Sequence, residues 1–239
     1  MNAIQINYRK TATIVGVLFI IGTVAGISSG VVTGPILGES DYLAAVSANE
    51  SSMVLGALLV LVMGFPLAMI PVMLFPIFRK YNEPLALGAV VFRGVLEAVT
   101  YMVLATCWLL LIPVGQGFLN AGTADTVIFQ TIGTFITKTG YWTEHILALV
   151  FTIGALMLYW LFYKTKLIPS WLALWGFVGA ILYFAAPVLN MFDPQHPALS
   201  LGVKWGNLMA PLAIQEMVFA LWMIIKGFNT DAFAAQNTK

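Results

Sequence analysis

Arg93 and Glu97 stand four residues apart in Phe92-Arg93-Gly94-Val95-Leu96-Glu97-Ala98-Val99-Thr100-Tyr101, a stretch that is otherwise mostly apolar. On an α-helix that spacing puts both charges on one face, with Thr100 and Tyr101 continuing the stripe one turn on. A third charge, Glu216, lies within the last apolar run, beside Gln215. An ionised side chain at the centre of a bilayer costs roughly 2.5–3.5 kcal/mol on insertion scales, so such groups pair with one another or mark a site. Two chemistries follow from one guanidinium and two carboxyls. They can pin one helix to another, with Arg93 paired to Glu97 or Glu216. They can also leave one carboxyl free to take a proton or the polar head of a ligand. Arg93, Glu97, Tyr101, Gln215 and Glu216 are therefore the candidate ligand-binding or proton-coupling residues.

A second candidate pair, Glu144-His145, opens a later apolar run, with Thr152 seven residues beyond His145. Asp193 and His196 are the nearest further ligands, and the spacing matches no zinc pattern. No metal and no cofactor are expected, and His145 is read as hydrogen-bonded to a neighbouring acid. The chain has no glycine-rich phosphate loop, no His-Glu-x-x-His and no nucleophile elbow. No catalytic residue is assigned and the reading leans away from an enzyme. A lipid-modifying membrane enzyme using Glu144 and His145 stands as an alternative.

The elements that must position these residues are membrane spans. Of 239 residues 60% are hydrophobic and only 9% charged, with a mean hydropathy of +0.93. Soluble domains carry about 25% charged residues, so this is a polytopic all-α membrane protein forming a single integral membrane domain, residues 1–239. Its partners are membrane lipids. A net charge of +1 gives nucleic acid no basic patch to bind. The lone cysteine, Cys107, can form neither an intramolecular disulfide nor a metal-ligand pattern.

Apolar runs predict six spans, at about 12–32, 53–78, 85–112, 141–163, 171–191 and 207–225, each long enough for a core about 30 Å thick. The first follows Arg9-Lys10 and is too long for a signal peptide. It carries Gly22, Gly26 and Gly30 on one face, a small-residue pattern that suits close helix approach and suggests a homo-oligomer. Acids at Glu39, Asp41 and Glu50 suggest a short surface helix before the second span. Pro66, Pro71 and Pro76 predict a kinked second span, and Pro84 a start for the third. Residues 113–141 read as the longest loop. Within it, Thr126–Lys138 reads as an amphipathic helix lying in the interface, with Ile128, Phe129, Ile132, Phe135 and Ile136 along one side. Residues 229–239 read as a disordered tail.

With both termini cytoplasmic, Arg9, Lys10, Arg79, Lys80, Lys164, Lys166, Lys226 and Lys239 fall inside and only Lys138 and Lys204 outside, which satisfies the positive-inside rule. Leu74–Lys80 before Pro84, and Leu158–Lys164 before Pro169, resemble each other. That likeness fits either repeated hairpins or the shared composition of helix ends at one interface.

Several stretches together resemble one bacterial family. They are Leu158–Gly176, with its Lys-x-Lys turn and Trp-Leu-Ala-Leu start, and Pro211–Trp222 with Lys226-Gly227-Phe228-Asn229. Tyr8–Ala12 leading to Gly16, and Phe92-Arg93 with Glu97-Ala98, fit as well. The chain resembles the six-pass membrane proteins catalogued as domain of unknown function 4386. The resemblance implies a bacterial inner-membrane protein and carries over no activity and no site residue. The leading expectation is a protein that binds or transports a small or amphipathic ligand. Its cavity would lie between the third, fourth and sixth spans and be lined by Arg93, Glu97, Tyr101 and Glu216. A non-catalytic structural or partner-binding role is the alternative.

Overall fold

A computed structural model describes residues 7–122, 125–192 and 205–229. Among them the ordered elements are α1 (Tyr8–Leu37), α2 (Tyr42–Ala48), α3 (Glu50–Ala89), a π-helical turn (Val90–Leu96), α4 (Glu97–Asn120), α5 (Thr126–Thr165), α6 (Ser170–Met191), a 3-10 turn (Gly206–Leu208) and α7 (Ala210–Ile225). Five helical stretches are long and apolar enough to cross a membrane: Tyr8–Leu37, Glu50–Asn120, Thr126–Thr165, Ser170–Met191 and Gly206–Ile225. Asp193, His196, Lys204 and all of the expected tail beyond Asn229 lie outside the described residues.

The 71-residue stretch Glu50–Asn120 turns back on itself. Asn82 leaves helical geometry (φ −152°, ψ 95°), and its Oδ1 accepts the Leu85 N–H at 3.0 Å. That is N-cap chemistry, with Pro84 in the first turn where its missing N–H costs nothing. Beyond the turn the chain packs against its own first half, with Gly64 against Tyr101 and Gly94 against Pro71.

Pro66, Pro71 and Pro76 do not interrupt α3, whose only non-helical residue is Asn82. Two further expectations are corrected. α4 runs through Pro113 to Asn120, so the predicted long loop shrinks to the few residues before Thr126. Thr126–Lys138 is not a separate helix but the first third of α5, a continuous helix of 40 residues. At 1.5 Å per residue α5 is about 60 Å long, roughly twice the hydrocarbon core. The reason is local packing. Phe129 closes on Gly117, Gly133 sits under Tyr42 and Leu43, and Ile136 packs on the small core with Leu43 and Leu111, so two of the five stripe residues find partners on α4 and α2. Ile128, Ile132 and Phe135 stay exposed.

α2 forms as expected, with Asp41 Oδ1 accepting the Ala44 N–H at 3.3 Å. It docks on α4, burying Leu43 and Val46 in a small second core with Met53 and Leu111.

In lipid the hydrophobic effect does not press helices together, so small residues that allow close packing carry the association. Gly16 meets the Ala220 carbonyl, Gly22 meets Leu67, Gly26 meets Met63 and Gly176 meets the Tyr159 ring. The face expected to seat a second copy is thus largely used within the chain, by α1 on α3. Of its three glycines, only Gly30 has open space beside it.

One end of the bundle is tied by polar backbone contacts. Arg9 Nη2 donates to the Ile224 carbonyl at 2.7 Å, satisfying a free C-terminal carbonyl of α7 with a cation. Gly227 (φ 75°) and Lys166 (φ 53°) take left-handed conformations, and the Asn229 N–H donates to the Leu167 carbonyl at 2.8 Å. Phe162 packs on both Phe78 and Phe228. Arg9, Arg79, Lys164, Lys166 and Lys226 therefore share this end, and Lys138 lies far along α5 from it.

The docking of α2 is testable. A Cβ on Gly115 would lie 2.6 Å from the Leu43 carbonyl and 3.3 Å from the Ser47 nitrogen. Gly115→Leu is expected to lower stability by about 1–3 kcal/mol. The readout is the midpoint of thermal unfolding followed by circular dichroism.

Candidate functional site

Arg93 sits in the middle of the π-helical turn, 1% exposed. π segments bond i to i+5 and are common at functional sites. Their wider turn matters here, because four residues no longer complete it and the Arg93/Glu97 stripe expected of an α-helix is broken. Arg93 does not bridge to Glu97. Its Nη2 donates to Glu216 Oε1 on α7 at 2.8 Å and forms an ion pair with it. The guanidinium carbon also lies 4.4 Å from the Phe151 ring centroid and 5.3 Å from that of Phe19, within cation–π range.

α5 approaches this turn closely because residue 154 is glycine. A Cβ there would lie 2.6 Å from Arg93 Cβ and 2.8 Å from its backbone nitrogen. Arg93 thus joins α1, α5 and α7 at one point. Its Nε and Nη1 have no hydrogen-bond partner among the described residues. The space beside them, about 10 Å³, is enough for at most one water molecule.

Glu97, also 1% exposed, bonds instead to the next turn of its own helix. Tyr101 Oη donates to its Oε1 at 3.2 Å, and its Oε2 has no partner among the described residues. Thr100 turns its hydroxyl back to the Glu97 and Leu96 carbonyls. Gln215 is fully buried and donates from Nε2 to the Leu172 carbonyl at 3.0 Å, tying α7 to α6.

The Glu144-His145 pair is divided by the helix. His145 is fully buried, its Nδ1–H donating to the Tyr141 carbonyl at 2.9 Å and its ring against Tyr141 and Trp142. That corrects the expected bond to an acid, since a backbone carbonyl one turn back takes the proton. Thr152 is likewise spent on the Ala148 and Leu149 carbonyls. Glu144 faces elsewhere, toward a cavity. The described residues hold no group of three or more His, Cys, Asp or Glu that could bind a metal.

That cavity measures about 730 Å³, within the usual range for small-molecule pockets of roughly 300–1,000 Å³. Gly26, Ser29, Gly30 and Thr33 of α1 line one wall, and Ile136, Thr137, Tyr141, Glu144 and Leu147 of α5 another. Val60 and Met63 of α3, Tyr101, Leu104 and Trp108 of α4, and Tyr183 of α6 complete it. The exposed Gly30, Gly34 and Gly38 border its mouth. Tyr101 is the residue nearest the charge cluster, and its hydroxyl is the one bonded to Glu97.

The expected cavity is therefore displaced. It lies between α1, α3, α4 and α5, and Arg93, Glu97, Glu216 and Gln215 stand behind its wall. Of the primary candidates only Tyr101 reaches it. Sequence spacing missed Trp108 and Tyr183, which carry no charge to flag them, and the glycine run of α1, which read only as a packing face.

The Arg93–Glu216 pair should behave as a buried lock. Glu216→Leu leaves the guanidinium unpaired and is expected to cost about 3–5 kcal/mol, whereas the double change with Arg93→Met restores a large part of it. Thermal unfolding of the single and double variants measures both. Gly154→Leu, which leaves every charge in place but displaces Arg93, is expected to destabilise like Glu216→Leu.

Compared with known proteins, the chain matches no curated protein and no solved structure. It does match a family, over residues 14–227. That region takes in the π turn with Arg93, the cavity walls and the α7 residues that hold Glu216. Across nearly its whole length, then, this chain belongs to the family described as domain of unknown function DUF4386.

Proposed function

We propose that this protein is a six-pass inner-membrane protein that binds a small amphipathic ligand in the cavity between α1 and α5. The count of six is supported by the two arms of Glu50–Asn120, each an apolar helical stretch on one side of Asn82. The end that gathers Arg9, Arg79, Lys164, Lys166 and Lys226 would be cytoplasmic, with both termini. The cavity then opens toward the opposite face, beside the second small core around Leu43 and Met53.

The observation that carries the reading is the position of Tyr101. It lines a cavity of about 730 Å³ and donates a hydrogen bond to a buried carboxyl whose second oxygen has no partner among the described residues. The walls are otherwise apolar or aromatic with a few hydroxyls, which suits a ligand with an apolar body and one polar group. The Arg93–Glu216 pair supports the site from behind by fixing α4 against α5 and α7.

Gly30 offers a clean test, because a Cβ added there meets nothing within 4 Å. Gly30→Phe should crowd the cavity from its α1 wall without disturbing the fold. Native mass spectrometry of protein released from membranes is expected to show an amphipathic adduct on the wild type and none on Gly30→Phe, at equal thermal stability. Identical adducts on both proteins would remove the cavity from the explanation.

A further inference from the structure

We infer that the cavity selects an uncharged lipophile bearing an oxygen acceptor of the carbonyl type, an inference that rests on the binding role proposed above. Among the described residues no lysine or arginine lines the cavity, so an anion would find no counter-charge in its wall. Glu144 does line it but is already engaged within the protein, so a cation would have to share that carboxyl. Moving an isolated charge into an apolar site is costly, and an uncharged ligand avoids the cost.

The hydrogen-bonding groups of the wall narrow the class further. Ser29, Thr33 and Thr137 donate their hydroxyl protons to the Gly56, Ser29 and Thr134 carbonyls, and Tyr101 donates to Glu97. Tyr183 and Trp108 differ. Among the described residues no hydrogen bond engages the Tyr183 hydroxyl or the Trp108 indole N–H, and neither atom is closed off inside the packing. Tyr183 sets its ring edge-on to Phe151, centroids 5.1 Å apart, and its hydroxyl lies within electrostatic reach of Arg93. It therefore points into the bundle, at the inner end of the cavity. Trp108 turns its Cζ3 edge to α3, 3.6 Å from where a Gly56 Cβ would stand, which leaves the N–H edge facing away from that helix. An indole N–H can only donate, and a phenol whose proton is unclaimed can donate as well. The complement of such donors in an apolar wall is an acceptor. A carbonyl or similarly polarised oxygen supplies one without bringing a proton that would need a partner of its own.

Three rigid probes separate the possibilities: triphenylphosphine oxide, which carries a strong acceptor, triphenylmethane, which carries none, and the cation tetraphenylphosphonium. Each is titrated against the full chain in nanodiscs of zwitterionic ether-linked lipid, which offers no ester carbonyl, with Gly30→Phe nanodiscs as the blank for lipid partitioning. Saturable binding of the oxide is expected, at least about fivefold tighter than either other probe. Tyr183→Phe keeps the ring on Phe151 and removes only the oxygen. It is expected to weaken the oxide roughly two- to tenfold and leave triphenylmethane unchanged, and Trp108→Phe is expected to act the same way. Repeating the titration in ester-linked lipid identifies the source of the acceptor. Weaker apparent binding there assigns it to a lipid ester, and unchanged binding to a free small molecule. Triphenylmethane or the phosphonium binding as tightly as the oxide, or an oxide affinity unchanged in both variants, would overturn acceptor selection and leave the cavity reading intact. Binding of no probe above the Gly30→Phe blank would overturn both.

Discussion

A guanidinium buried in an apolar bundle must be compensated, and the rest of this structure is built around that constraint. Arg93 is 1% exposed and too deep in the packing for its charge to escape to water. Its compensation comes from three other helices. Glu216 on α7 supplies the opposite charge, Phe151 on α5 and Phe19 on α1 supply ring faces, and Gly154 lets α5 come close enough for the arrangement to close. A buried ion pair of this kind contributes little net stability, but losing one partner is expensive. It therefore acts chiefly as a register pin, specifying which faces of α4, α5 and α7 meet.

The π turn is the local device that makes the pin possible. A regular α-helix would stack Arg93 over Glu97 on one face, and the two would neutralise each other along a single helix. The wider turn at Val90–Leu96 separates them. Arg93 then turns to α7 and Glu97 to Tyr101. Three charges divide into a closed pair and an acid that communicates with a cavity. The lock and the candidate site are neighbours, but they are different groups.

Elsewhere the bundle is held by close approach and not by charge. Glycines on α1, α3, α5 and α6 bring backbone against side chain or backbone, the strategy open to helices that gain nothing from expelling lipid. The same device on α1 has a second consequence. Gly22 and Gly26 are used up against α3, but Gly30 and Gly34 have nothing to pack against, and the space they leave is part of the cavity.

Much of this was legible in the residues themselves. Apolar runs of membrane length, lysines and arginines at alternate run ends, and Pro84 and Pro169 at helix starts determine an all-helical membrane bundle with its basic ends together, because each depends on local composition and the bilayer's thickness. The membership of Arg93 and Glu216 in one cluster was also predictable, since a buried charge needs an opposite one. What no local pattern could decide was which acid Arg93 takes, because that depends on a π turn that changes the facing of residues by a fraction of a turn. Nor could it show that Thr126–Lys138 would find partners on α2 and α4 and merge with α5, or that His145 would turn from Glu144 into the core. The cavity is the clearest case. It is an absence of side chains between α1 and α5, and only tertiary packing decides where side chains fail to meet.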